Sequence, residues 1–265
     1  MAAAAVGIPV IIAAILLGGP AYTIVVALVL TFAALEFFAA TDPAAGDHRG
    51  LLNQRPLAFI AAGGVALLVV AADNGFEWWM RALALLVVLP FVPIILASRA
   101  ERGLADYLWA LGGIMYVGFL GSHLVLLRDA PNGRDWVLLA IFATFATDTA
   151  AYIVGRLFGR TRIAPAISPG KTLEGSLGGI AGGVAAVLAL NWALDAGAGA
   201  EIIGLALLLP VAAEIGDLAE SMIKRSAGVK DASHVIPGHG GFLDRLDSIL
   251  FTVPLVYYFL TWLVL

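Results

Sequence analysis

Long apolar runs alternate with short polar breaks along the whole chain. A bilayer core of about 30 Å requires roughly 20 apolar residues per helix, and somewhat shorter runs are tolerated. The breaks carry turn-forming residues, such as GGP at 18–20, DNG at 73–75 and APNG at 130–133. The pattern predicts an all-α polytopic membrane protein with about nine transmembrane helices, at approximately 3–18, 21–40, 57–73, 78–97, 106–127, 136–154, 174–194, 202–223 and 248–265.

Two of these predicted helices have distinctive sequences. Pro90 and Pro93 are expected to kink the fourth span, which a membrane helix tolerates because neighbouring groups satisfy the freed carbonyl groups. The first span, in MAAAAVGIPVIIAAILL, lacks a basic leader and an obvious small-residue cleavage site. We therefore interpret it as a retained first helix rather than as a signal peptide.

The composition agrees with a membrane protein. Hydrophobic residues make up 61% of the chain and charged residues 13%, whereas soluble domains contain about 45–50% and 25%. A water-soluble core is therefore excluded. The chain has no cysteine, so it forms no disulfide or thiolate site. Its net charge of −4 gives no general basic surface; anionic partners must be bound locally, and no nucleic-acid partner is expected.

The distribution of Lys and Arg predicts the orientation. With nine spans, one face of the membrane receives twelve of the fifteen basic residues, and the opposite face receives Arg81, Arg128 and Arg134. By the positive-inside rule the richer face is cytoplasmic, so the N-terminus is expected inside and the C-terminus outside. The twelve are Arg49, Arg55, Arg99, Arg102, Arg156, Arg160, Arg162, Lys171, Lys224, Arg225, Lys230 and Arg245.

No internal repeat is evident, so an inverted-repeat transporter gains no support. The predicted organisation is a run of N-terminal transmembrane helices at 1–130, followed by a C-terminal transmembrane catalytic region at 131–265. That second region contains the two longest cytoplasmic loops, at 155–173 and 224–247.

The eighth predicted span ends in a polar stripe. Glu214, Asp217, Ser221 and Lys224 recur at three- and four-residue spacing, which places them on one helix face. A carboxylate within a span is costly unless it is paired or faces a cavity. A helix end that emerges among lipid headgroups would explain a single such residue. A whole stripe that continues into a charged loop favours a functional site.

The loop after this stripe combines acids, bases and glycines. It contains KD at 230–231, PGHGG at 237–241 and DRLD at 244–247. Glycine-rich backbone can approach a phosphate closely. In helical geometry Asp244 and Asp247 would share a face, although acidic residues near a helix N-terminus also complement the helix dipole. Carboxylates hold Mg²⁺, which bridges to phosphates, while Lys and Arg neutralise the remaining charge. The mixture predicts a metal-dependent phosphate site at the membrane surface.

Two upstream segments are predicted to lie at the same face. Asp148 is about two turns from the cytoplasmic end of the sixth span, although it could instead bond to neighbouring Thr hydroxyls. The segment ISPGKTLEG at 167–175 is not a Walker P-loop, because Pro165 stands where that motif requires Gly and no strand is expected before it. It is interpreted as a tight turn that presents Lys171 to an anion near a helix N-terminus. Gly175, Gly179 and Gly183 follow at four-residue spacing, which favours close helix packing.

The residues from Ser221 to Asp247 resemble the signature of the phosphatidate cytidylyltransferase family, also called CDP-diacylglycerol synthases. That signature reads S-x-hydrophobic-K-R, four residues, K-D, and a P-x-H-G-G-hydrophobic-x-D-R-hydrophobic-D ending, and every fixed position is present. DTAAYIVGR and ISPGKTLEGSLGG also resemble blocks of the family. The detailed likeness covers about the last 120 residues.

The resemblance implies that CTP and phosphatidate react to give CDP-diacylglycerol and pyrophosphate, with Mg²⁺ required and a second cation allowed for. It implies a multi-pass protein of the cytoplasmic membrane, a bilayer environment and a homodimer, which the Gly-rich seventh span also favours. The implied metal ligands are Asp217, Asp244, Asp247 and Asp148. The implied polar site residues are Ser221, Lys224, Arg225, Lys230, Asp231, His239, Arg245 and Lys171, and the glycines expected to approach phosphate are Gly238, Gly240 and Gly241.

Other functions remain as alternatives at this point. A CTP-dependent polyprenol or lipid kinase would use similar nucleotide chemistry. CDP-alcohol phosphotransferases also use several Asp residues, but their pattern D-G-x-x-A-R is absent. An ion-coupled transporter would use intramembrane acids as a pathway. His234 and His239 are five residues apart without a Cys or a third His nearby, so a transition-metal site is not favoured over hydrogen bonding.

Overall fold

The structure is a computed structural model, and it describes residues 2–42, 51, 54–97, 100–233 and 240–265. These residues form twelve α-helices and one small β-hairpin. The helices are α1 Ala2–Leu17, α2 Gly19–Thr41, α3 Pro56–Asp73, α4 Phe76–Val88, α5 Phe91–Leu96, α6 Gly103–Gly113, α7 Leu120–Asp129, α8 Gly133–Phe158, α9 Leu173–Leu194, α10 Ile202–Ser226, α11 Leu243–Leu246 and α12 Ile249–Phe259.

Shorter helical segments complete several of these elements. A 3₁₀ turn, Ala100–Arg102, precedes α6. A π-helical segment, Ile114–Phe119, joins α6 to α7, and a second one, Leu260–Val264, extends α12. The hairpin consists of β1, Arg162–Ala164, and β2, Ser168–Thr172.

Eight helical stretches in the described part of the chain are long and apolar enough to cross a membrane. They correspond to the second to ninth predicted spans, which confirms an all-α polytopic membrane protein. The helix at the first predicted span has 16 residues and is about 24 Å long at 1.5 Å per residue, less than a typical hydrocarbon core. The orientation of the termini stays a prediction.

The fourth span is interrupted where the prolines predicted a kink. Helix α4 ends at Val88, α5 begins at Phe91, and Pro90 lies at the junction. Proline lacks the N–H that would continue the helical hydrogen bonds and clashes with the preceding turn. The last span starts earlier than predicted, at Leu243, and is broken by a turn at 247–248 between α11 and α12. Asp244 lies in α11 and Asp247 in this turn, so the two residues do not share one continuous helix.

The segment at 162–172 is a hairpin and not the tight turn expected from ISPGKT. Strands β1 and β2 pair antiparallel, with Arg162 opposite Thr172 and Ala164 opposite Ser168. The hairpin is attached to the start of α9, because the Glu174 carboxylate accepts hydrogen bonds from the backbone N–H groups of Arg160 and Thr161. A strand consequently carries Lys171, and the expectation that no strand occurs here was wrong.

The chain divides into two compact units, Met1–Leu126 with Ser226–Arg245, and Leu127–Arg225 with Leu246–Leu265. In the first unit α2, α3 and the α6–α7 helix pack around a buried apolar core. Gly113 of α6 lies directly against the ring of Phe38 of α2. In the second unit α8 and α9 pack closely. A Cβ added to Gly179 would lie 2.8 Å from the methyl group of Ala151. The predicted packing role of the α9 glycines is thereby confirmed.

Candidate active site

The second unit contains a cavity of about 300 Å³ with several charged side chains in its lining. Four elements line it: α8, β2, the start of α9, and α10. Its charged side chains are those of Asp148, Arg156, Lys171, Glu214 and Asp217. Two acids and one base predicted from the sequence, Asp148, Asp217 and Lys171, are therefore brought together around one space.

Lys171 is the centre of this cavity's hydrogen bonding. Its Nζ donates to Glu214 Oε2 and to Asp217 Oδ2, each at 2.8 Å. A further contact of 3.3 Å joins Nζ to the main-chain oxygen of Glu214. The hydroxyl of Ser176 donates to Glu214 Oε2 at 3.2 Å. We call Lys171, Glu214 and Asp217 the lysine triad.

The lysine triad keeps the ammonium charged. Burial by itself lowers the pKa of Lys171, but the charges and hydrogen bonds of Asp217 and Glu214 outweigh it, and the pKa lies above its ordinary value of 10.5. A raised pKa means that the stabilisation is fully present below the ordinary pKa and is lost only as pH rises through the folded-state pKa. The Lys171 ammonium is therefore charged at neutral pH.

Helix α10 provides both carboxylates because of its local sequence. Glu214 and Asp217 are three residues apart and so lie on the same face. Gly216, between them, allows a close approach of the chain, since an added Cβ would be 2.7 Å from the main-chain oxygen of Asp247. The missing side chain at 216 thus lets α10 pack directly against the turn at 247–248.

Asp148 and Asp247 bring two further carboxyl groups near the lysine triad. Both interact electrostatically with Asp217 and with Lys171, and Asp148 also interacts with Asp247. Among the described residues, no three acidic or imidazole side chains are arranged as a ready-made metal site. Mg²⁺ is commonly bound by one or two carboxylates together with waters and substrate phosphates. The oxygen donors present in this unit fit a cation of that kind.

Three more predicted residues of the second unit have defined partners. Ser221 Oγ donates to Asp217 Oδ1 at 3.5 Å, a long contact between neighbouring turns of α10. Lys224 pairs with the buried Glu220 at 2.6 Å. Arg225 Nε donates to the main-chain oxygen of Ile167 in the hairpin, at 3.3 Å. Ser221 is thus tied to the lysine triad, whereas Lys224 and Arg225 contact other groups.

The remaining predicted residues belong to the first unit or lie outside the described residues. Lys230, Asp231 and Arg245 are exposed. Asp244 Oδ2 accepts a hydrogen bond of 2.8 Å from the N–H of Gly241. Gly240 has a positive φ of 78°. Gly238, His234 and His239 lie outside the described residues, and the predicted contact of Gly238, Gly240 and Gly241 with phosphate stays a prediction.

Sequence reasoning did not assign several residues that the structure makes prominent. Tyr152 and Arg156 both line the cavity, and Arg156 Nη1 is 2.7 Å from the Tyr152 hydroxyl. Glu214 was recognised in the polar stripe but given no role. Glu36 is fully buried in α2. A carboxylate inside an apolar span is itself a signal of function, and it could have identified Glu36; the contribution of Tyr152 had no such signal.

Comparison with known proteins gives the class of molecule. The sequence matches the cytidylyltransferase family over residues 1–263. The chain belongs to this family, and its cavity lies in a nucleotidyltransferase with several membrane-spanning helices.

Three similar proteins carry the name phosphatidate cytidylyltransferase. The phosphatidate cytidylyltransferases of Staphylococcus aureus (strain COL) and Staphylococcus epidermidis (strain ATCC 12228) are each 31% identical over 215 residues, covering 78% of this chain and 82% of theirs. That of Brucella suis biovar 1 (strain 1330) is 35% identical over 195 residues, covering 69% of this chain and 72% of its own.

Proposed function

We propose that this protein transfers the cytidylyl group of CTP to phosphatidate, forming CDP-diacylglycerol and pyrophosphate. A phosphate oxygen of the lipid attacks the α-phosphorus of CTP, a new P–O–P bond forms, and the bond to the β-phosphate breaks as pyrophosphate leaves. The proposal is supported by the family, by relatives that carry this name, and by one structural observation. That observation is the lysine triad at the edge of a cavity with charged side chains, in a membrane protein.

The chemistry explains the charges that line the cavity. Two polyanions must be brought together, so catalysis depends on positioning and charge neutralisation. In the proposal Lys171 and Arg156 contact substrate phosphates, and Glu214 with Ser176 fixes the Lys171 ammonium. The lipid phosphate is already ionised at neutral pH, so the reaction needs no strong base to activate it.

We propose that the reaction depends on Mg²⁺, which the carboxylates of Asp217, Asp148 and Asp247 would hold together with substrate phosphates. The bound cation would supply neutralisation of phosphate charge. Asp244 belongs to the other compact unit, and its proposed role as a ligand follows from its place in the signature alone. A second cation remains part of the proposal, without an assigned ligand set.

The proposed location is the cytoplasmic membrane, with the site open to the cytoplasm. The support is the concentration of basic residues on one predicted face and the bacterial origin of the relatives. We also propose a homodimer, on the family resemblance. The α9 glycines no longer favour it, because they pack against α8 within the same chain. The mass of the purified protein in detergent, measured by light scattering, tests this point.

The decisive experiment uses CTP labelled in either its α- or its γ-phosphate, incubated with phosphatidate and the purified protein. The proposal predicts α-label in the lipid phase, γ-label in pyrophosphate, and no transfer after Mg²⁺ is removed with EDTA. Label from the γ-phosphate in the lipid would instead identify a lipid kinase. Unchanged transfer in EDTA would refute the cation requirement while leaving the transfer reaction intact.

A further inference from the structure

The fully buried carboxylate of Glu36 points into residues 233–243 of the signature, which belong to its own unit and which we call the signature segment. Glu36 lies one turn before the end of α2, and its side chain has no exposed surface. One turn earlier, the ring of Phe32 stacks on the ring of Phe242 with centroids 5.6 Å apart. Helix α2 therefore contacts the signature segment through an aromatic side chain and through a buried acid.

Glu36 accepts hydrogen bonds from both ends of the signature segment. Its Oε1 accepts a hydrogen bond of 2.6 Å from the Ser233 hydroxyl. Its Oε2 accepts one of 2.8 Å from the backbone N–H of Leu243. These two donors are ten residues apart in sequence. A single carboxylate therefore connects Ser233 to the start of α11, the helix that carries Asp244.

Asp244 accepts hydrogen bonds from residues close in sequence to those that bind Glu36. Its Oδ2 accepts from the N–H of Gly241, and its Oδ1 has a long contact of 3.4 Å with the N–H of Ala232. Ala232 is next to Ser233, and Gly241 is two residues before Leu243. The two carboxylates are therefore held by interleaved donors, and displacement of one disturbs the donors of the other.

The paired glycines of PGHGG fit closely between these carboxylates. A Cβ added to Gly241 would lie 2.5 Å from Glu36 Oε2, and one added to Gly240 would lie 2.9 Å from Asp244 Oδ2. Gly240 also has the positive φ that other residues rarely adopt. A side chain at either position would lie too close to a carboxylate oxygen, which explains why residues 240 and 241 are both glycine.

We infer that Glu36 is a positioning residue, which sets the placement of Asp244 by fixing both ends of the signature segment. The inference rests on the proposed role of Asp244 in the cation-dependent reaction. A purely structural attachment of α2 to the loop could be made by apolar contacts such as that of Phe32. A buried carboxylate that accepts hydrogen bonds fixes the orientation of its donors as well as their position. Groups that hydrogen-bond to metal ligands commonly orient those ligands in this way.

The test compares Glu36→Gln with Asp106→Asn. Both replace a buried acid of the first unit by its amide, but Asp106 pairs with Arg55 at 2.8 Å. For each purified variant, we would measure the melting temperature, kcat and KM for CTP, the Mg²⁺ concentration at half-maximal rate, and hydrogen exchange in peptides covering residues 240–246.

Glu36→Gln is expected to lower kcat/KM about 10- to 100-fold, to raise the half-saturating Mg²⁺ concentration and to speed exchange at 240–246. Ser233→Ala, which removes one donor, is expected to shift the same quantities by about 5-fold. Asp106→Asn is expected to retain wild-type kinetics per folded molecule. Wild-type Mg²⁺ dependence in Glu36→Gln, or the same kinetic defect in Asp106→Asn, would overturn the inference.

A third variant separates this inference from the proposed site. Asp244→Asn should abolish transfer in a folded protein. If Asp244→Asn is inactive while Glu36→Gln behaves as wild type, only the positioning role is wrong. If Asp244→Asn turns over normally, the proposed role of Asp244 is wrong, and the positioning role is overturned with it.

Discussion

Each compact unit contains one cation held between two carboxylates. In the first unit, Arg55 contacts Asp42 at 2.7 Å and Asp106 at 2.8 Å, and we call these residues the arginine triad. In the second unit, Lys171 contacts Glu214 and Asp217, each at 2.8 Å. Each triad has a formal charge of −1, and in both the acids raise the pKa of the cation against the opposing effect of burial.

The surroundings of the two triads differ. Arg55 lies over the ring of Trp109, 4.5 Å from its centroid, so an aromatic side chain covers the cation. The lysine triad borders the cavity, and Asp148 and Arg156 line the same space. Guanidinium groups stack well on aromatic rings, whereas an ammonium is a compact, strongly hydrated point charge. We therefore expect the lysine triad to contact substrate and the arginine triad to be structural.

The largest expected effect is that of Asp217→Asn. The change removes negative charge from the proposed cation site and one acceptor from Lys171, so kcat/KM should fall about 1,000-fold. It is measured as CDP-diacylglycerol formed per folded molecule in detergent. Asp42→Asn is the matched change in the arginine triad and should leave turnover near wild type. Equal losses in both variants would remove the distinction between the triads.

The next effect is that of Lys171→Met, for which we expect about a 100-fold loss of kcat/KM. The variant leaves Glu214 and Asp217 repelling each other and the substrate phosphates. Lys171→Arg keeps the charge but not the compact geometry, so it should recover only part of the activity. Steady-state kinetics in CTP give kcat and KM separately. A lower melting temperature with unchanged kcat would show that the lysine triad has only a structural role.

Arg55→Met is expected to lower the stability of the protein without affecting its catalysis. It removes the cation that Asp42 and Asp106 share. The free energy of unfolding should therefore fall by about 2 kcal/mol, less than the 3–5 kcal/mol typical of a fully buried pair. Thermal unfolding in detergent measures the loss, and kcat per folded molecule should be unchanged. A variant with normal stability and reduced kcat would contradict the structural role of the arginine triad.

The smallest effect is expected at an exposed pair on α4. Arg81 and Glu77 are 3.2 Å apart, but their side chains are 63% and 84% exposed. Such pairs contribute little, so Arg81→Gln should change stability by no more than about 0.5 kcal/mol. The same thermal assay measures it. A loss comparable to that of Arg55→Met would show that burial does not separate these ion pairs.

The helical membrane fold could be predicted because long apolar runs have few alternatives. In a bilayer every backbone polar group must be bonded internally, so such runs become helices. The hairpin could not be predicted in this way, because SPGKT carries both Pro and Gly, which disfavour strands. It forms through contacts with the start of α9, including those of Glu174, which are tertiary and leave no local pattern.

Part of the site could be predicted and part could not. Periodicity on α10 put Glu214 and Asp217 on one face, and two upstream segments were predicted to bring Asp148 and Lys171 to the same membrane face. The pairing of Lys171 with Glu214 joins residues 43 positions apart, and no local rule predicts it. Likewise Glu36 is 207 residues from Leu243. Its significance depends on a contact between α2 and the signature segment, which one sequence does not reveal.

The absence of cysteine in the sequence permits a direct test of the central claim, that CTP binds in the cavity beside the lysine triad. Ser176→Cys would place a single thiol in the cavity lining, and Ala200→Cys would place one in an exposed loop of the same unit. In variants that retain turnover, the rate of labelling by a charged maleimide is measured with and without CTP and Mg²⁺. The account predicts that CTP with Mg²⁺ slows labelling at 176 and leaves it unchanged at 200. Equal labelling rates at 176 with and without saturating CTP would contradict it.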